Sequence, residues 1–138
     1  KLAERMLPGP LTLLLPRKEN LPEILTKDSP TLGVRIPDSF ISVAVAQKLG
    51  RPFTATSANK SDMSATSIED ILKQFEGQHD LIDLAIDVGE MKGPASTILQ
   101  IDDASVEVVR EGSANAQAVM MVTAPEKQNM EEDRKTGA

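Results

Sequence analysis

Apolar residues along the chain fall into short runs, and their spacing alternates between the two-residue period of strands and the three-to-four-residue period of helices. Leu11 to Pro16 reads LTLLLP, an apolar run closed by proline, and predicts a buried strand. A short helix is predicted over Asn20 to Leu25, with Asn20 as cap and Glu23 three residues on. TLGVRIP, Thr31 to Pro37, predicts the next strand. Asp38 can then cap a helix through SFISVAVAQKLG that stops at Gly50.

Phe53 to Thr56 predicts a third strand, which runs into the polar loop TSANKSDMSATS. Ser67 with Asp70 three residues on resembles a capping box. Ile68, Ile71, Leu72 and Phe75 then follow at helical spacing before Gly77. Strands are predicted over Leu81 to Gly89, Ser96 to Asp102 and Ser105 to Gly112, the last two forming a hairpin about Asp102, Asp103 and Ala104. From Asn115 the pattern loosens, so residues 1–114 are expected to form the domain and 115–138 a polar, disordered tail. Strands alternating with helices and ending in a hairpin give an α/β domain with a mixed sheet.

Composition narrows the chemistry. The hydrophobic fraction of 40% and charged fraction of 26% are those of a globular domain of 138 residues, and aromatics at 2% leave an aliphatic core. Without cysteine there is no disulfide, thiolate nucleophile or Cys-ligated metal, and one histidine, His79, cannot build a His-based metal site or a Ser-His-Asp triad. A net charge of −6 argues against avid nucleic-acid binding by the chain as a whole. No apolar run approaches the length of a membrane span, so a soluble, cytoplasmic protein is expected. No glycine-rich phosphate loop of either common type occurs, so a nucleotide would be held by scattered side chains.

Several of those side chains stand at predicted element ends. Thr56, Ser57 and Asn59 follow a strand, where α/β folds place ligands, although Ser and Asn at such positions also serve turns. Arg35 lies on an apolar strand and needs either a structural acid or an anionic ligand. Ser67 is a helix cap whose N–H groups can also receive an anion. Ser96 and Thr97 open one strand, and Arg110 closes another. Asp83 and Asp87 have no third carboxylate at useful spacing and read as surface or turn acids.

In order along the chain, PGPLTLLLP (Pro8 to Pro16), LGVRIPD (Leu32 to Asp38), TSANKS (Thr56 to Ser61) with the following SATS, GPASTIL (Gly93 to Leu99) and VVREG (Val108 to Gly112) resemble the threonylcarbamoyl-AMP synthase family with its YrdC-like domain. The resemblance covers about Lys1 to Gly112. It implies a twisted mixed sheet with flanking helices and a deep, positively lined ligand cavity. It also implies a reaction in which L-threonine, bicarbonate and ATP give threonylcarbamoyl-AMP and pyrophosphate. Threonylcarbamoyl-transferase complex proteins would then pass the group to tRNA, which is thus an indirect partner. By position, the family's ATP contacts fall on Thr31, Asn59, Ser67 and Arg110, and its threonine contacts on Arg35, Ser57 and Ser96. Mg²⁺ would enter on the phosphates, without a protein-ligated metal and without a side-chain nucleophile.

The family's Lys/Arg phosphate-binding motif, which lies N-terminal in its members, does not occur in this sequence. The expectation is therefore a domain incomplete at its N-terminus, with half of the site. Two other readings stay open: an RNA-binding module of the same fold without adenylate chemistry, and a carbamoyl-transfer domain of a hydrogenase maturation protein.

Overall fold

The computed structural model describes residues 2–26, 29–61, 63–102 and 105–123. Contacts divide the chain between Asp38 and Ser39 and again between Pro94 and Ala95, so that the outer segments form one compact unit and Ser39–Pro94 another.

The outer unit is built on a four-stranded mixed sheet of order β2-β1-β3-β4. Its strands are β1 (Leu11–Pro16), β2 (Thr31–Val34), β3 (Thr97–Ile101) and β4 (Val106–Arg110), with helices α1 (Leu2–Met6) and α4 (Ala116–Thr123). β1 and β2 are antiparallel, β1 and β3 parallel, and β3 and β4 form the antiparallel hairpin expected from the sequence. Strand alternation assigns the two faces. Leu11 and Leu13 stand opposite Thr97 and Leu99, and these four are buried on one face with Val119 of α4. Leu2, Met6 and Leu7 from the α1 region pack on the same cluster, as do Val106 and Val108. Thr97 joins this core without loss because its hydroxyl donates to the Ala114 carbonyl at 2.8 Å and accepts from the Ala114 N–H at 3.1 Å.

The other face carries Thr12 and Leu14 of β1, Thr31 and Gly33 of β2, and Ile98 and Gln100 of β3. On β4 the alternation is interrupted. Val108 pairs with Leu99 but Arg110 pairs with Ile98, so Val109 is an extra residue in a β-bulge. An uninterrupted ladder would set Arg110 opposite Thr97, on the core side. The bulge puts it on the other face.

In Ser39–Pro94 the helices are α2 (Phe40–Leu49) and α3 (Ile68–Gln74). The cap of α2 is Ser39 rather than Asp38, because Ser39 has the extended backbone of a cap and its hydroxyl accepts from the Ser42 N–H at 3.4 Å. Gly50 closes the helix at φ 63°, the left-handed turn that glycine enters freely. The helix predicted over Asn20 to Leu25 shortens to one 3₁₀ turn, Glu23–Leu25, following Pro22 and without a side-chain cap.

Two predicted strands do not form. Phe53 to Thr56 runs irregularly and exposed, and Leu81 to Gly89 contributes only Leu81 to a 3₁₀ turn, His79–Leu81, before continuing without regular structure. Neither stretch has a described strand beside it to take its backbone hydrogen bonds. The helix α4 falls inside the stretch expected to be a loose tail, and Asn115 caps it by accepting from the Ala118 N–H at 3.1 Å. Residues 124–138 of that predicted tail, and the hairpin residues Asp103 and Ala104, lie outside the described residues.

Candidate functional site

The seven candidate residues divide between the two units. Thr31, Arg35, Ser96 and Arg110 belong to the sheet unit, and Ser57, Asn59 and Ser67 to the other.

Three of the first four converge on one end of the sheet. Ser96, at 8% exposure, immediately precedes β3, and its hydroxyl shares a 2.8 Å hydrogen bond with Thr12 in the middle of the apolar run of β1. The Arg110 guanidinium, delivered by the bulge, donates to the Ser96 carbonyl at 2.8 Å and approaches the Ser96 hydroxyl at 3.5 Å. The remaining guanidinium N–H groups of this exposed side chain leave a charged fork over a polar floor. Gly112 makes the approach possible. A Cβ there would collide with the Ala95 carbonyl oxygen and sit 2.6 Å from the Ser96 carbonyl carbon, so any larger residue would push β4 off Ser96. The Ser113 N–H then bonds the Ala95 carbonyl at 2.8 Å.

Arg35 follows β2 directly. It lies beyond Val34, the last residue of β2 paired with β1, and the residue after it is held by the Gly9 N–H, which donates to the Ile36 carbonyl at 2.9 Å. Arg35 is exposed and has no ion pair or hydrogen bond among the described residues. Thr31 is elsewhere. It pairs with Pro16 at the far end of β1, five residues from Leu11 and so roughly 16 Å along the strand, with its hydroxyl on Ser29 at 3.2 Å.

In the second unit the loop that begins at Ser57 is ordered by side chains rather than by regular structure. The Asn59 amide donates to the Lys60 carbonyl at 3.0 Å and the Met63 carbonyl at 2.7 Å. The side chain of Gln74, buried at 9% exposure, accepts from the Lys60 N–H at 3.0 Å and donates to the Ser64 carbonyl at 2.8 Å. Ser67 caps α3 by accepting from the Asp70 N–H at 3.1 Å, as its spacing indicated. The reciprocal bond shifts by one residue, since the Asp70 carboxylate accepts from the Thr66 N–H at 3.2 Å rather than from Ser67. That backbone N–H, followed by the Ser67 hydroxyl, holds the Asp70 carboxyl below its ordinary range. Ser57 is exposed and makes no described hydrogen bond.

Among the described residues no three His, Cys, Asp or Glu side chains gather as a metal set. Asp87 serves a turn, accepting from the Gly89 N–H at 2.8 Å. No described helix is long and apolar enough to cross a membrane. Thr12, Gly112 and Gln74 are positioning residues to which the sequence motifs gave no role. Thr12 had a signal, as the one hydroxyl in an otherwise apolar run.

The Sua5/YciO/YrdC family model, described as "Telomere recombination", matches residues 1–112. The chain belongs to this family. A Methanocaldococcus jannaschii relative is 38% identical over 114 residues, which are 81% of this chain and 51% of that protein. The threonylcarbamoyl-AMP synthase of Pyrococcus abyssi is 36% identical over 113 residues, 80% of this chain and 32% of that protein. The crystal structure of Pyrococcus abyssi Sua5 complexed with L-threonine superposes with a TM-score of 0.78 at 33% identity, covering 89% of this chain and 36% of that one. The chain thus spans between about a third and a half of these curated relatives.

Proposed function

We propose that the protein acts as an L-threonylcarbamoyladenylate synthase, converting L-threonine, bicarbonate and ATP to threonylcarbamoyl-AMP and pyrophosphate. The observation that carries this reading is the Arg110–Ser96–Thr12 cluster, a charged fork and hydroxyls set on one sheet face by a bulge. The likeness to a threonine-bound Sua5 supports the choice of amino acid.

In this reading the threonine amine attacks the bicarbonate carbon and water leaves, giving a carbamate. A carbamate oxygen then attacks the α-phosphorus of ATP, and the bond to pyrophosphate breaks. The protein's part is positioning and charge stabilisation. Arg35 offers a bidentate fork to the threonine carboxylate, and Ser57 and Ser96 orient the amino acid. Arg110, Thr31, Asn59 and Ser67 are assigned to ATP, with Ser67 using its remaining hydrogen-bonding capacity while it caps α3. Mg²⁺ arrives with the phosphates as part of the substrate. The product is a mixed anhydride that threonylcarbamoyl-transferase proteins of the cytoplasm would pass to an adenosine in tRNA.

The test is pyrophosphate release by the full-length protein. Release is expected only with threonine and bicarbonate both present, and Arg35→Ala is expected to raise the threonine KM by about tenfold or more. Arg110→Lys keeps the charge but not the fork and is expected to lower kcat/KM by about tenfold. ATP turnover indifferent to threonine would sink the reading.

A further inference from the structure

We infer that Gln74 is a positioning residue for the binding loop, acting through the peptide between Asn59 and Lys60. This rests on the functional reading above for what the loop binds, but the clamp itself is independent of it.

The loop has few other means of holding a shape. Between Ser57 and Thr66 its described residues form no helix or strand, and none of their side chains is buried. Met63 is half exposed and Phe53, just before the loop, is nearly so, at 50% and 46%. Hydrogen bonds must therefore do what packing does elsewhere. Most of those present are short-range: Asn59 folds onto Lys60 and Met63, and the Met63 N–H returns to the Lys60 carbonyl at 3.1 Å. They fold Asn59, Lys60 and Met63 onto one another without tying them to anything outside.

Gln74 supplies that tie. It stands in the last turn of α3 with both ends of its amide used, the oxygen accepting from Lys60 and the nitrogen donating to Ser64. A buried amide with both functions satisfied has one favoured orientation. The Lys60 N–H that it holds belongs to the same peptide plane as the Asn59 carbonyl, so its grip sets the direction in which the Asn59 side chain leaves the backbone. The Lys60 ammonium lies 5.9 Å from the ring centre of Phe75, the neighbour of Gln74, which closes the same seam from the outside. The helix α3 is in turn fixed at its start by the Ser67 and Asp70 bonds. Both borders of the loop are thereby referred to one helix.

Two measurements on the full-length protein decide the matter. Amide hydrogen exchange without substrates is expected to accelerate by about tenfold or more at Lys60 in Gln74→Ala, with exchange at Val108 in β4 unchanged. Gln74→Glu keeps an acceptor for Lys60 but sets a carboxylate against the Ser64 carbonyl, so Lys60 is expected to recover part of its protection. In steady-state kinetics Gln74→Ala is expected to raise the KM for ATP by about tenfold, a displaced contact, with melting of the sheet unit unmoved. Unchanged exchange at Lys60 overturns the clamp. Accelerated exchange with unchanged KM values overturns its role in positioning the site. Absence of threonine-dependent pyrophosphate release in the parent protein would instead sink the functional reading, and the exchange measurement would still judge the clamp.

Discussion

At the scale of single residues, the interactions that were readable in advance are those whose partners are near in sequence. Ser67 and Asp70 announce a helix start because a cap and its N–H donors lie within one turn. Thr12 and Gln74 announce nothing comparable. Thr12 meets Ser96 84 positions away, and Gln74 meets Lys60 14 positions away, so neither pairing has a local spacing to betray it. Arg35 and Ser96 were legible as candidates from their residue types, whereas the split of the seven between two units and the distance of Thr31 from Ser96 depended on register. The Asp70 bonds carry a pH dependence. Because the folded state depresses this carboxyl from its ordinary value of 3.8, its contribution is complete above that value and is lost as pH falls through the lower folded one. Acidification is expected to release the Thr66 amide only below the ordinary carboxylate range, as followed by the shift of that amide proton in NMR. Asp70→Asn is expected to abolish this step.

At the scale of elements, β1, β3 and β4 follow from hydrophobic spacing because each has a neighbour to receive its apolar side, and α3 follows from its cap at Ser67. The stretch from Leu81 to Gly89 has the alternation of a strand, yet Leu84, Ile86 and Val88 are 76%, 53% and 54% exposed. A period of two describes a ribbon with two faces, and without an adjacent strand it remains a pattern only. The helix α4 is the converse case. Its sequence offers little periodicity, and Val119 anchors it, completely buried against strands far away in sequence. Val119→Ala is accordingly expected to destabilise the sheet unit by about 2 kcal/mol in urea unfolding. Met121→Ala, at a side chain 79% exposed on the same helix, is expected to change it by about 0.5 kcal/mol or less.

At the scale of the whole molecule, burial is unevenly shared. Among the described residues every buried apolar side chain, Leu11, Leu13, Leu99 and Val119, is in the sheet unit, and the one buried side chain of Ser39–Pro94 is that of Gln74. Local opening costs least where apolar burial is least. Native-state hydrogen exchange is expected to show the amides of β1 and β3 protected by global unfolding, and those of α2 and α3 exchanging through smaller openings at lower denaturant.

The parallel joint between β1 and β3 has a kinetic meaning as well. Each outer strand can find its partner by a short reversal of the chain, β2 on β1 and β4 on β3, but the two hairpins meet only after the ends of a loop holding all of Ser39–Pro94 have come together. The entropy of closing that loop is lost before Leu13 touches Leu99. The middle of the sheet, its most buried part once folded, is therefore expected to be the last of its seams to close, as pulse-labelled hydrogen exchange during refolding would show.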